Sequence, residues 1–200
     1  MPSKKTITPL LGNRYYHIFN RGVNRQKIFF TNDNYFYFLR LMAKHLLQHT
    51  DMLAYCLLAN HFHLVIRVKE EVENDAASYS NEEMGGLVSR QFQKLFIAYA
   101  MAINNQENRT GNLFEPKFKR LEIDDEDYLK FVIFYVHNNP ERHGVCGDYK
   151  SYYFSSYKAL SSNASTKINK SLVYDIYGDR DNLENYHKTV HDDWKESDLE

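Results

Sequence analysis

The sequence predicts an α+β fold, one antiparallel sheet with helices packed on it, and three observations lead there. Two apolar stretches, "MLAYCLLA" and "HFHLVIRV", are joined tightly through Ala59-Asn60 and read as an antiparallel hairpin. Segments of helical spacing separate the extended runs, giving the order β-α-β-β-α-(β)-α. The chain has 200 residues, 43% of them hydrophobic, with 16 Tyr and 13 Phe, which is enough for one aromatic-rich core with a decorated end.

In order along the chain, "RYYHIFNRGVNRQKIFF" reads as a strand, a turn around Gly22 and Asn24, and a short extended piece. "TNDNYFYFLRLMAKHLLQHT" offers Thr31, Asn32 and Asp33 as N-caps, and Phe36, Leu39, Ala43 and Leu46 recur at helical spacing. After the hairpin, residues 70–85 are acidic and read as a connection. "MGGLVSRQFQKLFIAYAMAINN" is a long helix with Leu87, Phe92, Leu95, Phe96, Tyr99 and Ile103 as its apolar stripe. "NRTGNLFEPKFKRLEI" is a loop running into an extended segment. "DDEDYLKFVIFYVHNN" is a helix with acids in its first turn, which suits the dipole, and Pro140 is expected to end it. A Ser/Asn-rich stretch and short helices through "YHKTVHDDWKE" complete the chain.

The net charge of −1 hides an uneven distribution. Residues 1–69 carry ten Lys/Arg against Asp33 and Asp51, whereas residues 70–85 carry six acids and no base. A basic front half suits a polyanion partner, although uneven charge alone also fits an ordinary solvated surface. No apolar run reaches the length of a membrane span, and the start "MPSKKTITPLLGN" has no apolar leader, so a cytoplasmic location without membrane contact is expected. The two cysteines, Cys56 and Cys146, form no CxxC, which argues against a disulfide scaffold or a cysteine-built zinc site.

Chemistry enters with "NHFHLVIRV". Side chains alternate along a strand, so Phe62, Leu64, Ile66 and Val68 share a core face while His61, His63, Val65 and Arg67 share the other. The two imidazoles point the same way from backbones about 7 Å apart, near enough to converge on one metal, with Arg67 available to a phosphate. Two half-buried histidines bonded to backbone would read the same way. His187 and His191, spaced i, i+4, lack the glutamate of a zinc-protease helix and read as surface residues. A third ligand must come from elsewhere. On the helix of residues 124–139, Tyr128, Val132, Tyr135 and Asn139 fall on one stripe. Tyr135 could pack in the core and Asn139 could cap the helix, or the two could present a nucleophile and a ligand one turn apart. Asn139 directly precedes Pro140, which leaves its direction open.

These residues carry a resemblance. "NHFHLVIRV" matches the HUH motif, and "YVHNNP" resembles the tyrosine helix of single-tyrosine HUH transposases, most closely the REP-associated tyrosine transposase branch. "RGVNRQKIF", "GNLFEPKFK" and "YYFSSY" resemble further segments of that branch in the same order, so the resemblance spans about residues 14–157. Ala59 stands where proline is usual, Asn138 where an aliphatic residue is common, and Lys117 where arginine is expected, a change that loses arginine's bidentate fork.

The resemblance implies a ferredoxin-like antiparallel sheet with packed helices over residues 1–158, followed by an acidic extension of short helices over residues 159–200. It implies that Tyr135 is the nucleophile and that His61, His63 and Asn139 ligate one divalent cation, magnesium or manganese. It implies a transposase/endonuclease that cuts and rejoins single-stranded hairpin DNA through a 5′-phosphotyrosine. A homodimer is left open, since one tyrosine per site needs a second subunit or sequential cuts for strand exchange. DNA phosphates are expected on Arg14, Arg21, Arg25, Arg67, Lys117, Lys119 and Arg120, with "NRGVNRQ" making base contacts or serving as an ordinary hairpin loop. Competing readings are a non-catalytic nucleic-acid-binding protein on the same fold, a zinc hydrolase, and a host-domesticated nuclease acting on palindromic repeats of the nucleoid. The extension is expected to be dispensable for chemistry.

Overall fold

The computed structural model describes residues 8–71 and 78–190. Its sheet has four antiparallel strands: β1 (Tyr15–Arg21), β2 (Thr50–Leu58), β3 (His61–Val68) and β4 (Lys119–Ile123), in the order β2-β3-β1-β4. With α1 (Asn32–Leu46) and α2 (Asn81–Gln106) as the crossovers, this is the ferredoxin-like arrangement. Ala59 and Asn60 alone separate β2 from β3, as the sequence requires.

Each sheet face is covered. Tyr16, Ile18, Phe62, Leu64, Ile66 and Val68 are buried on the side of α1 and α2, where Phe62 packs on Phe38 and Phe96. The side carrying His17, His63 and Val65 lies under a third helix, α3 (Glu126–Arg142), so these three are also buried. The outer edge of β2 is blocked, because Leu57 N–H donates to the Phe154 carbonyl and Ser156 N–H to that of Tyr55. That leaves β4 as the far edge strand.

Two local expectations shift. The buried stripe of α1 is Tyr35, Phe38, Leu41, Met42 and Leu46, and Phe36 is 38% exposed. "NYFYFLRLMA" is apolar on several sides, so spacing alone could not select the face. Pro140 also lies inside α3, which continues to Arg142. A proline removes only its own N–H from the ladder, and the turn beyond it is held by His143 N–H to Asn139 O and Val145 N–H to Pro140 O.

The segment read as an extension packs on this frame. After α4 (Tyr157–Leu160) come α5 (Lys170–Tyr177) and α6 (Arg180–Thr189). Asn169 N–H bonds to Met52 O, Tyr177 Oη donates to Lys130 O, and Tyr149 Oη donates to His187 O. His187, expected at the surface, is 4% exposed because α6 lies against α3; His191 is outside the described residues. Among the described residues no helix is long and apolar enough to cross a membrane.

Candidate metal and nucleophile site

The histidines stand at the start of β3, where the tight turn delivers the chain beside the end of β1. Arg21 is the cross-strand partner of His61, and Phe19 that of His63. The loop after β1 folds over the same turn: Gly22 N–H donates to Asn60 O, while Ile28 and Phe29 N–H both donate to Ala59 O. Gly22 permits this packing, since a Cβ there would lie 2.1 Å from the Gln26 carbonyl oxygen. Asn24 and Arg25, both at positive φ, complete the bend.

α3 supplies the remaining groups. Asn139, one turn after Tyr135, is fully buried and places Oδ1 3.0 Å from His61 Nε2. The other nitrogen of His61, Nδ1, lies 2.7 Å from Asn60 Oδ1. A proton on Nδ1 donated to Asn60 leaves Nε2 with a bare lone pair, facing an oxygen that also carries lone pairs. Two such acceptors at 3.0 Å repel unless a cation or proton lies between them. Adjacent ligands of an octahedral cation at about 2.1 Å are themselves about 3 Å apart. Rotating the Asn139 amide would instead make an ordinary hydrogen bond from Nδ2.

His63 provides a second indication. Its Nδ1 lies 2.9 Å from His17 Nε2, and its Nε2 is buried with no hydrogen-bond partner. Burial pushes the His63 pKa well below the usual histidine value, helped by His17, His61 and His143; burial likewise lowers that of His17 to about 3. Both rings are therefore neutral near pH 7, the form a ligand needs. Donation from His63 Nδ1 to His17 would aim a bare Nε2 at the site, the usual device for orienting a metal-bound imidazole. Among the described residues no three His, Cys, Asp or Glu side chains group as a metal site. The amide of Asn139 stands beside His61, and two imidazoles with one amide oxygen would make a donor set softer than magnesium's preferred oxygen cage.

Tyr135 belongs to the same cluster. Its ring meets His63 edge-on at 5.7 Å and His17 at 6.0 Å, and Arg142 Cζ lies 5.4 Å from its centroid. It is 1% exposed. The stripe partner Tyr128 is also buried, two turns away. His17, His143 and Arg142 were not singled out by the sequence. Only the alternation of β1 could have flagged His17; the ring of His143 reaches 4.9 Å from that of His61 through the extra turn of α3.

The basic residues divide by position. Arg21 and Arg25 flank the His61 end of the sheet; Arg21 is paired with Glu115 at 2.7 Å, while Arg25 is exposed. Lys119 is the cross-strand partner of Phe19, on the site's face. Lys117, at φ 61°, and Arg120 lie toward α2. Arg67 and Arg14 are at the opposite end. Arg67 is six residues along β3 from His61, about 20 Å at strand rise, and donates two bonds to Asp51 Oδ2, at 2.9 and 2.6 Å. Arg14 leans on Glu122 at 3.7 Å. Neither belongs to the cluster around His61.

No family model and no curated protein matches the sequence. The fold does match a solved structure, that of a REP-associated tyrosine transposase bound to a REP hairpin. The TM-score is 0.58 at 14% identity, over 84% of this chain and 94% of that one. At that identity the likeness establishes a shared fold.

Proposed function

We propose that this protein is a metal-dependent transposase/endonuclease that cuts and rejoins single-stranded hairpin DNA through a 5′-phosphotyrosine link. One observation carries the reading: Tyr135, His61, His63 and Asn139 gather within a single chain, with Asn139 Oδ1 3.0 Å from His61 Nε2 and the Tyr135 ring edge-on to His63 at 5.7 Å. The hairpin bound by the structural neighbour supports the choice of substrate.

His61, His63 and Asn139 would hold one magnesium or manganese ion, which supplies Lewis-acid neutralisation of the scissile phosphate. Tyr135 Oη bonds to the phosphorus as its proton passes to water. The P–O3′ bond breaks, and the 3′ oxygen departs as a hydroxyl after taking up a proton. The tyrosyl ester is conserved in energy, so another 3′-OH can displace Tyr135 without ATP. His17 would orient His63, and Arg142, whose guanidinium lies over the Tyr135 ring, would offer positive charge beside the nucleophile. Arg21, Arg25 and Lys119 hold neighbouring phosphates. Because nucleophile and ligands share one chain, cleavage needs no partner; strand exchange uses sequential cuts or a second copy. The substrate on this reading is palindromic nucleoid DNA in the cytoplasm.

The burial of Tyr135 favours a second reading, a hairpin-binding protein without catalysis. Incubation of a 5′-extended hairpin with magnesium or manganese separates the two. Wild type and Tyr128→Phe should form a covalent adduct through the 5′ phosphate, and Tyr135→Phe should form none. Adduct mapped to another tyrosine, or undiminished in Tyr135→Phe, would remove the nucleophile assignment.

A further inference from the structure

The cluster around His61 has one open side. Tyr135, Asn139 and His63 are each at most 1% exposed, whereas His61 is half-buried and His143 is exposed. A phosphate therefore reaches the site past His61 and His143. Helix geometry brings His143 there. It follows Asn139 by four residues and Tyr135 by eight, so the three share one face of α3. Its backbone N–H closes the last turn on Asn139 O at 3.1 Å. Its ring meets that of His61 on β3 at 4.9 Å, with 72° between the planes.

The fold leaves this imidazole unused. Neither ring nitrogen of His143 has a hydrogen-bond partner among the described residues. Its polar neighbours at this end of the sheet are already engaged: Asn60 Oδ1 lies 2.7 Å from His61 Nδ1, and Arg21 is paired with Glu115 at 2.7 Å. A histidine at a helix C-terminus suits the dipole, but that role calls for no contact with His61. Water can serve an exposed ring, so position is what distinguishes His143 from the buried and mutually bonded His137 and His187. A neutral imidazole always carries one N–H, and either nitrogen can hold it. The ring can therefore donate to an entering phosphate without gaining a proton.

We infer that His143 is a further catalytic residue, whose ring N–H donates to a non-bridging oxygen of the scissile phosphate. The inference rests on the proposed cleavage through Tyr135. It adds a fixed donor whose bond strengthens as negative charge gathers on that oxygen in the transition state.

The test uses the full chain, a 5′-extended hairpin and saturating manganese, with adduct formation followed in a single turnover. His143→Ala should fold, because the side chain is exposed, and should bind manganese and the hairpin as wild type does. Its adduct should form about 10–100-fold more slowly, the loss of one hydrogen bond to a charged group. His143→Gln keeps an N–H donor and should recover most of the rate. Hairpins with sulfur in place of one non-bridging oxygen of the scissile phosphate separate contact from support of the fold. Sulfur accepts a hydrogen bond poorly, so one diastereomer should react equally slowly with wild type and His143→Ala, while the other keeps the difference. A wild-type rate in His143→Ala, a fall in its manganese affinity, or an equal effect of the substitution on both diastereomers would overturn the assignment. If wild type forms adduct in those cases, the phosphotyrosine reading stands without His143; if wild type forms none, the reading and the assignment fall together.

Discussion

His187 sets an acid limit on the helix that carries the proposed nucleophile. Its Nε2 lies 2.9 Å from His137 Nδ1, its Nδ1 donates to Leu183 O at 2.9 Å, and His137 Nε2 is 2.8 Å from Ser156 Oγ. This neutral chain ties α6 through α3 to the segment on the edge of β2. Burial lowers the His187 pKa from 6.5 to about 4; the Leu183 carbonyl opposes the shift and Lys150 adds to it. A folded pKa below the unfolded one means that the unfolded chain binds the proton first. Stability is therefore full above pH 6.5 and falls as pH drops toward 4. At pH 5 the loss from this one group is about 2 kcal/mol, against a total of roughly 5–15 for a domain. Burial shifts His137, His17 and His63 in the same direction. His187→Phe should be less stable at pH 7.5 by about 1–3 kcal/mol, because His137 Nδ1 loses its partner. It also lacks the titration, so its deficit should shrink by about 2 kcal/mol at pH 5. Urea unfolding with EDTA at the two pH values measures both differences. A deficit that stays constant or grows on acidification would refute the argument.

Other outcomes follow from the same geometry. Manganese should raise the melting temperature of wild type but not of His61→Ala/His63→Ala, measured by thermal unfolding with and without metal, and the double variant should form no adduct. His17→Phe should fold yet bind manganese about 10–100-fold more weakly, the usual effect of losing a ligand's orienting partner; an unchanged affinity by titration calorimetry would remove that role. Arg25→Ala should weaken hairpin binding and flatten its dependence on salt by about one counterion, whereas Arg67→Ala should lower stability and leave hairpin affinity unchanged, since its charge is spent on Asp51. A chain ending at Ser162 should lose stability in denaturant unfolding, because it discards the helices packed on α3 and β2, while adduct formation by that chain checks the separate expectation that the extension is dispensable for chemistry.

Alternation and turn chemistry made the sheet legible. "HFHLVIRV" could only place its two imidazoles on one face, and Ala59-Asn60 could only close a hairpin. The same logic misjudged what lay outside local pattern. Arg67 shares the histidines' face, which made it look like a phosphate contact, but strand rise carries it to the far end of the sheet and β2 brings Asp51 beneath it. His187 looked like a surface residue because its partners, His137 and Tyr149, lie 50 and 38 positions away.

Asn139 shows where such reading stops. Its spacing from Tyr135 was visible, but its direction was not, because the following Pro140 argues for a helix end. What keeps it helical is tertiary: Pro140 and Asn139 are both buried, and the turn beyond them is closed by bonds from His143 and Val145. Burial of an amide is expensive unless its polar atoms are used. Asn139 Oδ1 is used against His61, whereas its Nδ2 is left without a partner. Manganese titration of Asn139→Ala, expected to lose most of the affinity under the proposed ligand set, is the sharpest single check on that set.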